Sequence, residues 1–224
     1  MSKVGIFGGT FNPIHWGHLL AAETALEQVR LDRILWVPTS HAPYKTTVQP
    51  VSFHHRYQMV QRAIDSHPRF CLPPFEQIAA PAASAYAIDM LKALQHHYGA
   101  CEWHWILGLD AFHSLPRWVG RRELIPQCLW LVAPRANTRS VQHSCAPTGT
   151  VSANALEQLE SCCDRVADQL RTEAIEVRWQ LLQMPMAQVS SSLVRQHCQQ
   201  QRSIRYLVPE AVRDYIATHH LYEV

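Results

Sequence analysis

Short apolar runs alternate with longer amphipathic ones along this chain, and that alternation leaves few architectures open to it. The runs cover residues 4–7, 34–37, 69–72, 103–107 and 129–133, with a weaker sixth at 176–182. Several lack a polar residue at alternate positions, as strands do when helices cover both faces of their sheet. Between them the spacing predicts helices from Gly17 to about Val29, from Ser52 as N-cap to about Asp65, and over 84–95, where Tyr86, Met90 and Leu94 share one face. Leu156, Leu159, Val166 and Leu170 mark another, and 209–218 closes the chain with Pro209 in the first turn. Strands and helices in this order are βαβ units around a parallel sheet. The expectation is an α/β fold, a single doubly wound parallel sheet with helices on both faces, spanning 1–224. The stretch 134–152, rich in Pro, Ser, Thr and Asn, reads as a flexible loop.

With 47% hydrophobic and 17% charged residues, the composition is globular rather than disordered. A formal net charge of +2 is too small and too scattered for a nucleic-acid-binding stripe. An anionic ligand must then be held by local placement of positive groups, since the whole-molecule field is weak. The opening Met1-Ser2-Lys3-Val4-Gly5-Ile6-Phe7 is too short an apolar stretch for a signal-peptide core of about 7–15 residues. No run nears the roughly 18–20 apolar residues that cross a bilayer. A cytoplasmic protein without membrane or nucleic-acid partners is expected. The cysteines, odd in number, irregular in spacing and without a Cys-x-x-Cys pair, read as reduced thiols. The doublets His54-His55, His96-His97 and His219-His220 make poor metal pairs, because adjacent helical residues do not face one another.

In a doubly wound sheet ligands gather at the carboxyl ends of strands, above all where the strand order reverses. The first predicted strand runs into Gly8-Gly9-Thr10-Phe11-Asn12-Pro13-Ile14-His15-Trp16-Gly17-His18. Two glycines there permit positive φ angles and close approach of backbone N–H groups to a ligand. Successive amides form an anion-binding nest, and the next helix adds its positive end. The segment is neither the Gly-x-x-x-x-Gly-Lys-Ser/Thr phosphate loop nor the Gly-x-Gly-x-x-Gly dinucleotide fingerprint. A strand-to-helix turn often needs glycines for its own sake. His15 and His18 shift the balance: three residues apart at a helix entrance, their rings can point the same way and donate to phosphate oxygens. No third Cys, His or carboxylate stands at a convincing spacing, so no protein-held metal is expected.

His15-Trp16-Gly17-His18 matches the His-x-Gly-His motif of the nucleotidyltransferase superfamily, and the stretch from Gly8 to His15 resembles bacterial nicotinate-nucleotide adenylyltransferases. The resemblance spans nearly the whole chain and implies a Rossmann-like nucleotidyltransferase domain. It implies ATP and nicotinate mononucleotide as substrates, with Mg²⁺ accompanying ATP. The implied products are deamido-NAD (nicotinate adenine dinucleotide) and pyrophosphate, in NAD biosynthesis.

Val189-Ser190-Ser191-Ser192-Leu193-Val194-Arg195 resembles the family's Ser-Ser-Thr/Ser-x-x-Arg motif. Serines before an amphipathic run cap a helix, and their hydroxyls and amides suit phosphate. Arg195, one turn inside, offers a forked and permanently charged donor set. An ordinary capped helix with a surface arginine would look the same in isolation. Gly108-Leu109-Asp110-Ala111-Phe112 and Leu115-Pro116-Arg117-Trp118 resemble the family's Gly-x-Asp-x-Phe and Leu-Pro-x-Trp segments. Asp110, at a strand end, is placed to accept from ribose hydroxyls; Trp118 either stacks on a pyridine ring or anchors the core. Lys45 matches the family's phosphate-contacting lysine, although Tyr44 stands where relatives usually carry histidine. Ser84-Ala85-Tyr86-Ala87-Ile88-Asp89 aligns with Pro-Ser-Tyr-Thr-x-Asp, with Ala87 replacing threonine and Pro81 standing where arginine is frequent.

The implied chemistry is in-line attack by the mononucleotide phosphate on the α-phosphorus of ATP. Its nucleophile is already anionic, so no nucleophile–base–orienter set is needed, and none is evident. Catalysis then comes from positioning and charge neutralisation. The resemblance places ATP against Gly8, Gly9, Thr10, Phe11, Gly108, Asp110, Ser190, Ser191 and Ser192. It places His15 and His18 at the α- and β-phosphates, Arg195 on the departing pyrophosphate and Lys45 between the substrates. Tyr86, Ala87 and Trp118 fall on the pyridine nucleotide. Rival functions are adenylyl transfer to nicotinamide mononucleotide or phosphopantetheine, and non-catalytic nucleotide sensing. All of them require the first loop and the serine-capped helix to face one shared cavity.

Overall fold

The computed structural model of the 224-residue chain describes residues 1–39, 51–74, 86–134, 153–185 and 188–223. Its strands are β1 (Ser2–Gly9), β2 (Arg33–Pro38), β3 (Phe70–Cys71), β4 (Cys101–Gly108), β5 (Cys128–Ala133) and β6 (Arg178–Leu181). They form one six-stranded sheet in the order β3-β2-β1-β4-β5-β6, parallel at every pairing. All the predicted strands are present. β1 and β4 run beyond 4–7 and 103–107 because their outer residues also pair, Ser2 with Cys101 and Gly9 with Pro38. β3 is shorter than 69–72: only Phe70 and Cys71 pair, with Ile34 and Leu35, at the sheet edge. So short an edge leaves little unpaired backbone for another chain.

The helices are α1 (Trp16–Gln28), α2 (Phe53–Ile64), α3 (Ala87–Tyr98), α4 (Leu109–Phe112), α5 (Arg121–Leu124), α6 (Ala153–Thr172), α7 (Ser191–Gln199) and α8 (Glu210–Thr218). Both sheet faces are apolar. Along β2, Leu35 and Val37 enter one core while Ile34 and Trp36 enter the other. Along β4, Trp103, Trp105 and Leu107 oppose Ile106 in the same way. That double burial is why the sequence shows apolar runs instead of alternation. Ile88 and Leu91 of α3 and Leu159 and Leu170 of α6 close the first face. Ala25 of α1, Val60 of α2, Val194 of α7 and Val212 of α8 close the second. Each Leu, Ile or Val fully withdrawn from water contributes roughly 1.5–3 kcal/mol.

Two helix starts differ from expectation. Tyr86 is the N-cap of α3, with extended backbone, and is 42% exposed. The buried stripe is therefore Ile88, Leu91 and Leu94, not Tyr86, Met90 and Leu94, because a cap residue does not share the helical face. Pro209 likewise precedes α8 as its N-cap. The one-turn helices α4 and α5 and the 3₁₀ turns Leu115–Arg117 and Ile125–Gln127 were not anticipated. Of the loop expected at 134–152, only Pro134 lies among the described residues. The described cysteines are free thiols, with burial pushing Cys128 and Cys163 up to about 12. Among the described residues no helix is long and apolar enough to cross a membrane.

The strand order reverses between β1 and β4. Their carboxyl ends carry Gly8-Gly9 and Gly108, so both glycine segments flank the switch-point crevice where such sheets bind ligands.

Candidate active site

Gly8 and Gly9 end β1 and pair with Val37 and Pro38; neither has a positive φ. The turn expected at the glycines is displaced to Phe11, whose φ is 46°. That left-handed conformation costs a side-chain-bearing residue roughly 1–2 kcal/mol. Burial of the ring offsets the cost: Phe11 packs edge-on against Phe7 and His18, at centroid separations of 5.5 and 5.1 Å. Gly9 provides room rather than freedom. A Cβ on it would stand 3.0 Å from Cζ of the Phe11 ring folded over the strand.

After β1 the main-chain carbonyls turn onto protein donors. Gly9 O accepts from the Thr39 N–H at 2.9 Å and Thr10 O from Arg56 Nη1 at 2.8 Å. Asn12 O accepts from Arg195 Nη1 at 2.7 Å and Pro13 O from Ser191 Oγ at 2.8 Å. In a trans peptide the C=O and N–H point in opposite directions. Fixing the Gly9 and Thr10 carbonyls therefore aims the Thr10 and Phe11 amides the other way, as donors suited to an anion.

His15 caps α1 with extended backbone and is only 4% exposed. Its N–H donates to Nδ1 of His18 at 3.2 Å. A neutral His18 consequently keeps its proton on Nε2, which makes Nε2 the donor end. The rings stack, with centroids 3.7 Å apart and planes 25° from parallel, His18 half-buried and His15 buried. Gly17 allows this: a Cβ there would lie 3.1 Å from His15 Nδ1 and 3.2 Å from Val189 Cγ1.

The late helix meets this loop directly. Ser190 caps α7, its Oγ accepting from the Leu193 N–H at 3.2 Å. Arg195, besides its bond to Asn12, donates through Nη2 to Ser192 Oγ at 3.2 Å. Bonds spanning 178 and 183 residues of sequence thus tie α7 to Asn12 and Pro13. The first loop and the serine-capped helix therefore lie side by side.

Across the switch point, Gly108 caps α4 and the exposed Asp110 stands in its first turn. Trp118 is half-buried; its Nε1 donates to Ser114 Oγ at 2.8 Å, and its ring meets Trp105 and Trp130 edge-on at 6.1 and 5.9 Å. The core-anchor role therefore holds for part of that ring. Gly120, at φ 71°, lies so close to α3 that a Cβ would stand 2.6 Å from Ile88 Cγ2. The contact sets the turn containing Trp118 against the helix start that carries Tyr86 and Ala87. There the Asp89 and Met90 amides bond Tyr86 O, whereas the Ala87 and Ile88 amides precede the helical ladder. Lys45, with His41, Tyr44, Pro81 and Ser84, lies outside the described residues.

A cytidylyltransferase-like family model matches residues 6–197, from β1 into α7. A Trichormus variabilis protein named "Probable nicotinate-nucleotide adenylyltransferase" is 42% identical over 222 residues, 99% of this chain and 98% of that protein. A Nostoc protein of the same name is 41% identical over the same shares. The chain belongs to the nicotinate-nucleotide adenylyltransferase family. Its fold matches solved structures of Plasmodium falciparum nicotinic acid mononucleotide adenylyltransferase complexed with APC and with NaAD. Their TM-scores are 0.68 and 0.69 at 17% identity, covering 99% of this chain and 98% of each of those.

In this nicotinate-nucleotide adenylyltransferase family member, two residues that sequence reasoning missed support the first loop. Tyr222 donates through its hydroxyl to Asn12 Oδ1 at 2.8 Å. Burial pushes its phenol well above the ordinary range, which keeps it a donor. Arg56, 1% exposed, donates to Thr10 O, to Thr39 O at 2.7 Å and, through Nε, to Val51 O at 3.2 Å. Burial lowers its guanidinium from the ordinary value. A signal for Arg56 existed: it lies four residues before Val60 and eight before Ile64, a charge on the buried stripe of α2.

Proposed function

We propose that this chain transfers the adenylyl group of ATP to nicotinate mononucleotide, forming nicotinate adenine dinucleotide and pyrophosphate, as a cytoplasmic step of NAD biosynthesis. The observation that carries the proposal is the bonding of α7 to the first loop, which sets the Thr10 and Phe11 amides, the His18 ring and the Ser191–Arg195 turn around one region. In the reaction a phosphate oxygen of the mononucleotide attacks the α-phosphorus in line. The new O–P bond forms as the bond from the α-phosphorus to the bridging oxygen breaks, and pyrophosphate leaves with the electron pair.

The loop amides hold the triphosphate, His18 Nε2 donates to the α-phosphate region, and Arg195 grips the departing pyrophosphate. His15, buried under the stack, orients His18 through its N–H and its ring. Asp110 takes the ribose hydroxyls, and Trp118 with Tyr86 flanks the pyridine ring. The first amides of α3 suit the nicotinate carboxylate, a contact that survives alanine at position 87 because it uses main chain. Mg²⁺ enters with ATP, carried on the phosphate oxygens and water.

The test is pyrophosphate release from ATP and Mg²⁺ with nicotinate mononucleotide, nicotinamide mononucleotide or phosphopantetheine offered separately. Fastest release with the nicotinate nucleotide is expected. Reaction with phosphopantetheine alone would overturn the acceptor assignment, and ATP binding without turnover of any acceptor would make the chain a sensor.

A further inference from the structure

Arg56 is a buried cation on α2 that belongs to none of the motifs of the adenylyl-transfer site, yet it bonds main-chain oxygens in three separate segments. These are Thr10 in the loop after β1, Thr39 just past β2, and Val51 just before α2. A planar guanidinium with five N–H donors in fixed directions suits three acceptors at once; a lysine ammonium is a compact point charge. The decisive bond is the one to Thr10. It fixes the Thr10–Phe11 peptide plane with the carbonyl toward α2 and the Phe11 N–H away from it. Released, that plane is free to rotate, and a half-turn would present a carbonyl oxygen, not an N–H, to a triphosphate.

The same guanidinium couples this plane to its neighbour, because Thr39 also donates its N–H to Gly9 O. Thr39 thus carries one bond toward β1 and one from α2, and the Gly9 and Thr10 carbonyls are held through one residue. The charge has a second consequence. A cation 1% exposed, directly behind a donor loop, acts on an anion in front of it through protein rather than water, where screening is weaker.

We propose that Arg56 is a positioning residue for nucleotide binding, holding the Gly9-to-Phe11 peptide planes with their amides toward the triphosphate. The inference rests on the adenylyl-transfer reading only in taking ATP as the ligand of that loop.

The experiment compares wild type, Arg56→Lys, Arg56→Gln and Val60→Ala, the last a core truncation on the same helix that touches no loop carbonyl. Calorimetric binding of Mg²⁺ with α,β-methylene-ATP is measured first, then steady-state kinetics with nicotinate mononucleotide, each corrected for folded fraction. For Arg56→Lys the analogue should bind roughly tenfold more weakly and kcat should fall at least as far, while KM for the mononucleotide stays within about twofold. Arg56→Gln should lose more than Arg56→Lys, because charge goes as well. Val60→Ala should bind the analogue like wild type despite its lower stability. Unchanged analogue binding in Arg56→Lys overturns the proposal, as does an equal loss in Val60→Ala. If wild type binds the analogue but makes no dinucleotide, the acceptor assignment fails while the binding comparison still decides the role of Arg56. Should both Arg56 variants fail to fold, the Nε–H resonance of Arg56 in the wild-type chain provides the readout. It must shift when the analogue saturates the loop; a stationary signal overturns the proposal.

Discussion

His18 uses its two ring nitrogens for different purposes, and two substitutions separate them. Nδ1 accepts the His15 N–H at 3.2 Å, closing the start of α1, and under the proposed function Nε2 is the donor toward the nucleotide. Asparagine sets an acceptor oxygen near the place of Nδ1 but does not reach as far as Nε2. Glutamine sets a donor near the place of Nε2 but withdraws the acceptor from the backbone. Both lose the 3.7 Å stack on His15, so that loss cancels in the comparison. Without the Nε2 donor, His18→Asn forgoes a charge-assisted bond of about 1.5–3 kcal/mol, which corresponds to roughly a 10- to 150-fold fall in kcat. Its thermal midpoint should stay close to that of His18→Gln or above it. His18→Gln should keep kcat within about tenfold of wild type, yet lose about 0.5–2 kcal/mol of helix-start stabilisation. For a chain of this length each 1 kcal/mol lowers the midpoint by roughly 2–4 °C. Stopped-flow or coupled pyrophosphate assays alongside calorimetric melts measure both quantities. Equal kcat values for the two variants, or a reversed order, would refute the division of labour.

Other expectations follow from single contacts. Tyr222→Phe removes the donor to the buried Asn12 Oδ1 and should cost about 1–3 kcal/mol, read as a lower urea midpoint at unchanged slope. Gly120→Ala forces a Cβ to 2.6 Å from Ile88 at φ 71°. It should raise KM for the mononucleotide while leaving KM for ATP unaltered, because the strain falls between Trp118 and the start of α3. Burial lowers His104 below its ordinary 6.5, outweighing the opposing contacts with Glu102. Burial, aided by His219 and His54, acts on His55 in the same direction. Below the unfolded value near 6.5 the unfolded chain takes up protons that the folded chain refuses, so stability is full above that pH and declines on acidification. Urea midpoints should drop from about pH 7 to about pH 5 more steeply in wild type than in His104→Gln; parallel profiles would remove His104 from the explanation.

The sheet was legible because its strands are buried on both faces. The run 129–133 carries no polar residue and 103–107 carries only the buried His104, and tryptophans 103, 105 and 130 pack between the sheet and the α3 and α6 side. What escaped notice had no period to notice. α4 and α5 are four-residue helices, each barely one turn, too few residues for a helical period to register. Tyr86 misled for a different reason. Its spacing to Met90 and Leu94 is helical, but the helix begins one residue later, and spacing alone does not say which residue is the cap.

The site divides along a similar line. His15, His18, Ser190 and Arg195 were legible because their residue types and spacing match known motifs, so residue type carried the information. The main-chain oxygens of Thr10, Thr39 and Val51 were not legible, because every residue supplies a carbonyl and no side chain advertises its use. Only the donor end of such a bond leaves a trace, here an arginine on the buried stripe of α2. The asymmetry bears on tolerance to change. Replacing Thr39 or Val51 by another residue of fitting size preserves the acceptor, whereas no other side chain replaces the Arg56 fork or the paired bonds of Arg195. A loop whose amides are aimed by bonds to its carbonyls is therefore most vulnerable at the donors placed behind it, several of which lie far from it in sequence.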